Sequence, residues 1–167
     1  KKLMAVGLHV NSEQKPEYHI YRKSSSDLNS SSWDKITNNN PKKIQIQCLC
    51  YDINNYSNDN PKLLAVNKEN GQIYEQKNEY DFDEWSGPII FDTPVSKIMY
   101  DKYQHLIGIG RDDGFIYKKK DTDWRNVNNK WEYVNKTEVY DLIYDIDGCL
   151  IATTPYGVKK QRFPDFF

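Results

Sequence analysis

The sequence predicts an all-β fold built from a repeated four-stranded unit, and three observations lead to this prediction. Two segments 43 residues apart match without a gap: LLAVNKENGQIYEQ from Leu63 and LIGIGRDDGFIYKK from Leu106. A second phrase, apolar-x-x-apolar-apolar-Tyr-Asp, occurs three times, as IQCLCYD, VSKIMYD and VYDLIYD. No segment shows helical periodicity bracketed by capping residues. A fixed period of about 40 residues indicates a repeat architecture.

Each unit contains four predicted strands in a constant order. The first strand carries a small residue, which suits a crowded region where sheets approach closely. The second follows a Gly-bearing turn, the third bears a Trp, and the fourth ends in Tyr-Asp. The pairs Asn70-Gly71, Asp113-Gly114 and Asp147-Gly148 lie between apolar strands. They predict tight hairpins, because such turns need residues that accept a positive φ.

The whole chain, residues 1–167, is predicted to form a single repeat domain with units at about 3–52, 53–101, 102–145 and, as a partial unit, 146–167. The predicted strands are Leu63–Asn67, Gln72–Gln76, Val95–Tyr100, Leu106–Gly110, Phe115–Lys119, Val139–Tyr144 and Leu150–Thr153. The first unit begins at Leu3 and carries an insertion around Asn11 to Pro16. The last unit reads GVKK from Gly157, where the others read Gly-x-Ile-Tyr.

Four short antiparallel strands at this period predict the blades of a β-propeller. A β-sandwich is the alternative, since it also has short strands and regular turns, but it does not explain the ungapped repeat. One expanded unit, two clean units and the start of a fourth fall short of a typical propeller ring. We therefore expect a partial ring, a ring closed by an unusual blade, a ring completed by a homo-oligomer, or part of a longer chain or assembly.

The composition excludes several classes of function. Lys+Arg 23 against Asp+Glu 24 gives a net charge of -1, so no general attraction to nucleic acid is expected. No apolar run approaches the roughly 20 residues needed to span a bilayer, and no signal peptide is visible, so membrane insertion is not expected. The three cysteines, Cys48, Cys50 and Cys149, are interpreted as reduced structural residues, because their odd number and spacing fit neither a disulfide framework nor a metal site.

Catalysis is not predicted. The chain has no Gly-x-Ser-x-Gly, P-loop, zinc-protease or dinucleotide motif. Asp112 and Asp113 are an adjacent carboxylate pair, but neighbouring residues on a strand or turn point apart. The matching positions in the previous unit are Glu69 and Asn70, which indicates a turn at both places. No cofactor is expected.

The ordered phrases L-x-A/G-V/I, G-x-I-Y, W and Tyr-Asp resemble the repeats of the tachylectin and tectonin β-propellers, from Leu3 to Lys160. The resemblance implies four-stranded blades and non-catalytic recognition of surface glycans. Several members of that family bind N-acetylated amino sugars in shallow pockets between neighbouring blades, without metal. The expected ligand is therefore a glycan of the N-acetylhexosamine type.

The candidate ligand-binding residues are aromatic and polar side chains. They are Trp33, Trp85, Trp131, Trp124, Asn70, Asp112 and Asp113. The first three tryptophans recur once per unit, and core packing is the favoured interpretation for them. Trp124 lies outside the repeat, in a polar loop, and is the additional place to look for an exposed ring. The Tyr-Asp residues Asp52, Asp101 and Asp145 are interpreted as turn residues, with sugar binding as the alternative.

Two functions remain open from the sequence. The first is a lectin-like module that recognises surface glycans. The second is a protein-interaction or structural propeller within a larger assembly or particle, with a protein partner. Similar polar residues at matching turns of successive units would favour repeated sugar sites. The two clean units agree in this respect, KEN against RDD, whereas the last unit reads TPY.

Overall fold

A computed structural model describes residues 4–10, 12–14, 16–23, 32–36, 44–54, 62–78, 81–89, 91–126, 128–145 and 147–161. These residues form strands joined by turns, and none of them is helical. The all-β prediction is confirmed. Within these ranges there is no helix that could cross a bilayer. Leu3, Asn11 and the end of the last predicted unit, 162–167, lie outside the described residues.

Fourteen strands run through the described part of the chain. They are β1 (Met4–Val10), β2 (Pro16–Lys23), β3 (Trp33–Lys35), β4 (Ile46–Tyr51), β5 (Leu63–Asn67), β6 (Ile73–Asn78), β7 (Asp81–Ile89), β8 (Val95–Tyr100), β9 (Leu106–Gly110), β10 (Ile116–Lys119), β11 (Trp131–Asn135), β12 (Asp141–Tyr144), β13 (Leu150–Thr154) and β14 (Gly157–Gln161). Three of the seven predicted strands, β5, β8 and β9, have the predicted bounds. The other four differ by one or two residues at an end.

The strands form four sheets in which each strand pairs with its neighbours in the chain. Sheet II (β4-β5-β6-β7) and sheet III (β8-β9-β10-β11) each have four strands, and in both the strand that ends in Tyr-Asp is the first and the Trp-bearing strand the fourth. Strands are counted in this sheet order below, whereas the predicted unit places the Tyr-Asp strand last. Sheet I (β1-β2-β3) consists of the second, third and fourth strands in this order, and sheet IV (β12-β13-β14) of the first, second and third. This strand order is typical of propeller blades.

The chain folds as two compact units, Lys1–Pro88 and Ile89–Phe167. The first unit contains sheets I and II, whose facing surfaces share one apolar core. Ile20 of sheet I packs there with Leu63 and Ala65 of sheet II. All three side chains are fully or almost fully buried. Burial of a large aliphatic side chain stabilises the fold by about 1.5–3 kcal/mol.

The second unit contains sheets III and IV and repeats this arrangement. Ile107, Ile109 and Ile116 of sheet III pack with Leu142 and Leu150 of sheet IV. All five side chains are at most 2% exposed. One face of sheet III is therefore covered by one face of sheet IV.

The turn between the first and second strands has the residue with a positive φ at the same position in sheets III and IV. In the Asp145–Cys149 turn the positive φ, 72°, falls on Gly148. In the Asp101–His105 turn the same position is Gln104, with a φ of 69°. Glycine accepts this backbone conformation without steric cost, whereas glutamine does so at a penalty.

The small residues of the second strands occupy crowded positions, as predicted. A Cβ atom on Gly108 would lie 2.8 Å from Val95 Cγ1 and 3.1 Å from Trp131 Cη2. Ala65 and Ala152 are buried at the matching positions of sheets II and IV. These residues allow the neighbouring side chains to pack closely against the second strand.

The register of β14 corrects the interpretation of the last unit. Ile116 of β10 pairs with Ile109, and Val158 of β14 pairs with Thr153, which is the matching position of β13. Val158 is therefore the counterpart of Ile116. Gly157 lies in the strand and not in the turn, because β13 and β14 are joined by a shorter, two-residue turn. The Ile position of the Gly-x-Ile-Tyr phrase is thus occupied by an apolar residue, Val158, whereas the Tyr position is occupied by Lys159.

Candidate functional site

Trp33 is the most exposed of the four tryptophans, with 39% of its surface accessible. It lies opposite Lys23 in the β2–β3 pair. The Lys23 ammonium nitrogen is 5.2 Å from the centroid of the Trp33 ring, a distance at which a cation is attracted to the π face. Trp33 is therefore the candidate aromatic residue that a ligand can still reach.

The other three tryptophans are buried. Trp85 belongs to the core of the first unit, and Trp131 and Trp124 are 7% and 0% exposed. A sugar-stacking residue needs an accessible ring face, so these positions agree with the core-packing interpretation. Trp124 corrects the expectation of an exposed ring in a polar loop. Ligand binding by these residues stays a prediction.

Trp131 forms one wall around a buried lysine. The Lys119 ammonium nitrogen lies 4.8 Å from the centroid of the Trp131 ring and 3.7 Å from that of Phe91. It donates a hydrogen bond of 2.6 Å to the carbonyl oxygen of Asn129. Burial lowers the pKa of Lys119 to about 8, while the Asp92 carboxylate acts in the opposite direction. The site stabilises the cation only in part, because two aromatic faces and one carbonyl replace its water shell.

Asn129 organises the polar loop that contains Trp124. Its side-chain amide donates to the carbonyl oxygens of Asp121 and Asp123 at 2.9 and 3.0 Å. Its side-chain oxygen accepts from the Asp121 N–H at 3.1 Å. These bonds tie the two ends of the loop that contains Trp124 together. The fully buried Trp124 ring lies 6.3 Å from the Phe91 ring between centroids, and the Arg125 guanidinium carbon lies 4.7 Å from the Trp124 centroid. Nothing in the sequence pattern singled out Asn129 or Lys119, because both occur in strongly polar stretches.

The candidate polar residues at the turns are engaged with their own backbone. Asn70 Oδ1 accepts from the Gln72 N–H, and Asp113 Oδ1 accepts from the Phe115 N–H, both at 2.9 Å. Asp112 is exposed and pairs with the guanidinium group of the preceding arginine at 3.1 Å. These contacts are typical of turn residues. Asp112 retains an exposed carboxylate that could accept a hydrogen bond from a ligand.

The structure does not bring together the candidate residues of the second compact unit, Asp112, Asp113 and Trp131. Asp112 and Asp113 lie in the turn before β10, whereas Trp131 pairs with Lys119 at the far end of that strand. Four strand residues separate the two places by roughly 10 Å or more. The predicted aromatic and acidic residues therefore do not form one shared pocket in this unit.

The same hydrogen-bond geometry recurs at two of the Tyr-Asp residues and supports their interpretation as turn residues. Asp101 Oδ1 accepts from the N–H groups of Tyr103 and His105, both at 2.8 Å. Asp145 Oδ1 accepts in the same way from Cys149 N–H at 2.7 Å and from the residue two positions on at 3.0 Å. One carboxylate oxygen thus organises each five-residue turn.

The second oxygen of each of these carboxylates pairs with a lysine of the third strand. Lys118 Nζ lies 3.3 Å from Asp101 Oδ2, and Lys160 Nζ lies 2.6 Å from Asp145 Oδ2. The hydrogen bond from Lys160 holds the pKa of Asp145 below its usual value. These carboxylates stabilise the turns and are occupied by protein groups.

The described residues offer no group of three His, Cys, Asp or Glu side chains that could hold a metal ion. Cys48 and Cys50 lie on one strand and are half-buried, Cys149 is buried, and all three are thiols rather than members of a disulfide.

The most prominent exposed apolar surface lies on one face of sheet IV. Cross-strand pairs place Ile143 beside Ile151 and Thr153 beside Val158 on this face. Ile143 is 52% and Val158 72% exposed. We call these four residues the sheet IV face.

The sheet IV face ends at an edge of β14 with which no described strand pairs. In sheet III, β10 has β9 on one side and β11 on the other. In sheet IV, the equivalent strand β14 pairs with β13 alone among the described strands. The other edge of β14 therefore presents backbone N–H and C=O groups that can pair with an added strand.

Comparison with known proteins bears on the fold. No family model and no curated protein matches the chain. Among solved structures, the chain is similar to one described as "YCF48 bound to D1 peptide", with a TM-score of 0.50 and 14% sequence identity. The match covers 86% of this chain and 43% of that one, so the chain spans less than half the length of that protein.

This likeness and the strand order assign the chain to an all-β fold of the β-propeller class, present here as a partial propeller. The β-sandwich alternative is thereby set aside. The resemblance to the tachylectin and tectonin repeats stays a prediction, because similarity at 14% identity bears on the fold and not on the family.

Proposed function

We propose that this chain is a non-catalytic, protein-binding β-propeller module that uses the sheet IV face as its contact surface. The observation that carries the proposal is the exposure of Ile143 and Val158 beside an edge of β14 that pairs with no described strand. A partner that covers these side chains gains roughly 25 cal/mol for each Å² of apolar area removed from water. An apolar patch next to an open strand edge suits a polypeptide that can also pair its backbone.

Two exposed tyrosines lie at the end of sheet IV where β13 turns into β14. The backbone N–H of Tyr140 donates to the Thr153 carbonyl at 2.8 Å, and Tyr156 lies in the turn that follows β13. Both side chains are exposed. Tyrosine is enriched at protein interfaces, because it combines a large apolar ring with a hydroxyl group that can hydrogen-bond.

The similar solved structure is a complex with a peptide, as its description states. A propeller of this fold class can therefore accept a polypeptide ligand, which supports a protein partner for this chain. A component of a larger assembly would present such a surface to a neighbouring subunit.

Glycan binding remains the alternative that the resemblance to tachylectin and tectonin repeats implies. A repeated sugar site needs an equivalent exposed ring in each unit. Trp33 is partly exposed, but Trp85 and Trp131 are buried. The observations therefore support one protein-binding surface more than a set of equivalent N-acetylhexosamine sites.

Selection of a random-peptide display library against the immobilised chain tests the proposal. Low surface density keeps neighbouring chains apart. We expect enriched peptides whose binding is lost in Val158→Asp and kept in Tyr103→Asp, which places the same charge in the Asp101–His105 turn, away from the sheet IV face. Failure to enrich any peptide would overturn the proposal. Binding of the same sample to N-acetylhexosamines on a glycan array would then support the alternative.

A further inference from the structure

The packing of sheet III on sheet IV follows a strand-by-strand rule. Ile107 and Ile116, on the second and third strands of sheet III, lie in one cluster with Leu142, Leu150 and Ala152, on the first and second strands of sheet IV. We call the earlier sheet of such a pair the leading sheet and the later one the following sheet. The leading sheet places residues of its second and third strands in this cluster, and the following sheet places residues of its first and second strands there.

The sheet IV face carries the same positions that sheet III uses as the leading sheet. By strand register, Ile151 is the counterpart of Ile107, and Val158 is the counterpart of Ile116. Ile107 and Ile116 are 2% exposed because sheet IV covers them. Val158 is exposed. The sheet IV face can therefore pack against a further sheet in the way that sheet III packs against sheet IV.

The first unit follows the same rule. Ile20 of sheet I is the counterpart of Ile116. Ile20 pairs with Val6, the residue after Ala5, and Ile116 pairs with Ile109, the residue after Gly108. Ile20 packs with Leu63 and Ala65 of sheet II. Ala65 occupies the position that Ala152 occupies in sheet IV. The contacts among these strands therefore recur in the first compact unit, where Trp85 of the fourth strand of sheet II also belongs to the core.

One face of sheet I corresponds to the face by which a following sheet packs against its leading sheet. Ala5 and Tyr21 are a cross-strand pair on the side away from Ile20. Ala5 is the counterpart of Ala65 and Ala152, which are buried where a leading sheet covers them, whereas Ala5 is only half-buried. The chain thus carries a leading face on sheet IV and a following face on sheet I.

We propose that the sheet IV face of one chain binds the Ala5–Tyr21 side of sheet I in a second copy. The contact continues the packing that sheets III and IV already make. It is heterologous, since two different faces meet, and such contacts close into a ring or extend as a filament. This inference rests on the proposed function and names its partner as another copy of this chain.

The composition of sheet I sets the expected strength of this contact. In sheet IV, Leu142 and Leu150 both contribute to the core with sheet III. Sheet I has no first strand among the described residues, so it offers no counterpart of Leu142. The interface is therefore smaller than the one inside the second unit, and we expect reversible, concentration-dependent assembly.

Photo-cross-linking of isotope-mixed chains tests the proposal. p-Benzoylphenylalanine replaces Val158, and ¹⁴N- and ¹⁵N-labelled chains are mixed before irradiation. We expect mixed-isotope cross-links from position 158 to the segments that contain Ala5 and Tyr21. Same-isotope cross-links alone would mean that the chain closes on itself, and cross-links to sheet IV of another copy would mean a two-fold dimer. Each of these results overturns the proposal.

Sedimentation velocity provides the second measurement. We expect Val158→Asp and Ile143→Lys to weaken self-association by about tenfold or more, because each buries an unpaired charge at the contact. Tyr103→Asp should leave self-association unchanged. A wild-type chain that stays monomeric at all accessible concentrations overturns the second-copy proposal. If that monomer still binds peptides through the sheet IV face, the proposed function stands and the partner is a different protein.

Discussion

Lys119 lies directly opposite Trp131 in the β10–β11 pair, with its ammonium nitrogen 4.8 Å from the centroid of the indole ring. In the first unit, Lys23 lies opposite Trp33 in the same way. Sheet II places Gln76 at this position of the third strand. The recurring tryptophan is thus accompanied by a recurring long polar side chain that is almost fully buried in all three sheets.

Lys119→Gln should flatten the pH dependence of stability above pH 8. Burial lowers the pKa of Lys119 to about 8 from an ordinary value of 10.5. Between these values the unfolded chain binds more protons than the folded chain, so the free energy of unfolding of the wild type rises with pH. Gln76 accepts a hydrogen bond from the Leu63 N–H at 3.1 Å in sheet II, so glutamine is tolerated at this kind of position.

Urea unfolding at intervals from pH 7 to pH 11 measures this effect. We expect the wild type to gain on the order of 2 kcal/mol relative to the variant between pH 8 and pH 10. Above about pH 10 both proteins should lose stability, because burial raises the pKa values of Tyr117 and Tyr144 and the unfolded chain releases those protons first. Parallel profiles from pH 7 to pH 10 would contradict the prediction.

Asn129→Ala should open the loop around Trp124. The substitution removes three hydrogen bonds that the buried amide makes to Asp121 and Asp123. We expect a loss of about 2–3 kcal/mol in the free energy of unfolding and a red shift of tryptophan fluorescence. Asn128→Ala alters an exposed neighbour and should change neither quantity measurably. Equal effects of the two substitutions would show that Asn129 does not close the loop.

Asp101→Ala should destabilise the second unit far more than Asp112→Ala. Asp101 is buried and accepts two backbone N–H groups of its turn, and its second oxygen pairs with Lys118. Loss of these contacts leaves buried donors without an acceptor, at a cost of about 2–4 kcal/mol. Asp112 is exposed, and its removal should cost less than about 0.5 kcal/mol. Thermal unfolding of both variants compares them, and a similar loss in each would refute the turn role.

Gly108→Ala should destabilise the protein by about 1–3 kcal/mol, because the added methyl group meets Val95 and Trp131 at less than van der Waals distance. Val95→Ala removes the nearer of these atoms. In a double-mutant cycle, we therefore expect the cost of Gly108→Ala to fall in the Val95→Ala background. Additive costs would mean that the crowding at Gly108 has another origin.

Strand positions were predictable where the sequence carries strict local patterns. The 43-residue repeat placed β5, β8 and β9 at their observed bounds, because apolar alternation and glycine-bearing turns act within a few residues. The Tyr-Asp turns were predictable for the same reason, since the Asp101 carboxylate bonds to its own turn. The register of β14 was not, because the shorter turn changes which residues pair without changing the local pattern.

The sequence by itself determined the all-β class, the four-stranded period and the turn chemistry of Asp101 and Asp145. Tertiary structure alone decided the burial of Trp124 and the exposure of Val158. Trp124 is buried in a loop whose two ends Asn129 ties together, through contacts between groups that the sequence pattern shows only as polar. Val158 matches Ile116 in type and position, yet one is exposed and the other buried. The difference arises because burial depends on whether another sheet covers the face, and this is a property of packing between elements rather than of local sequence.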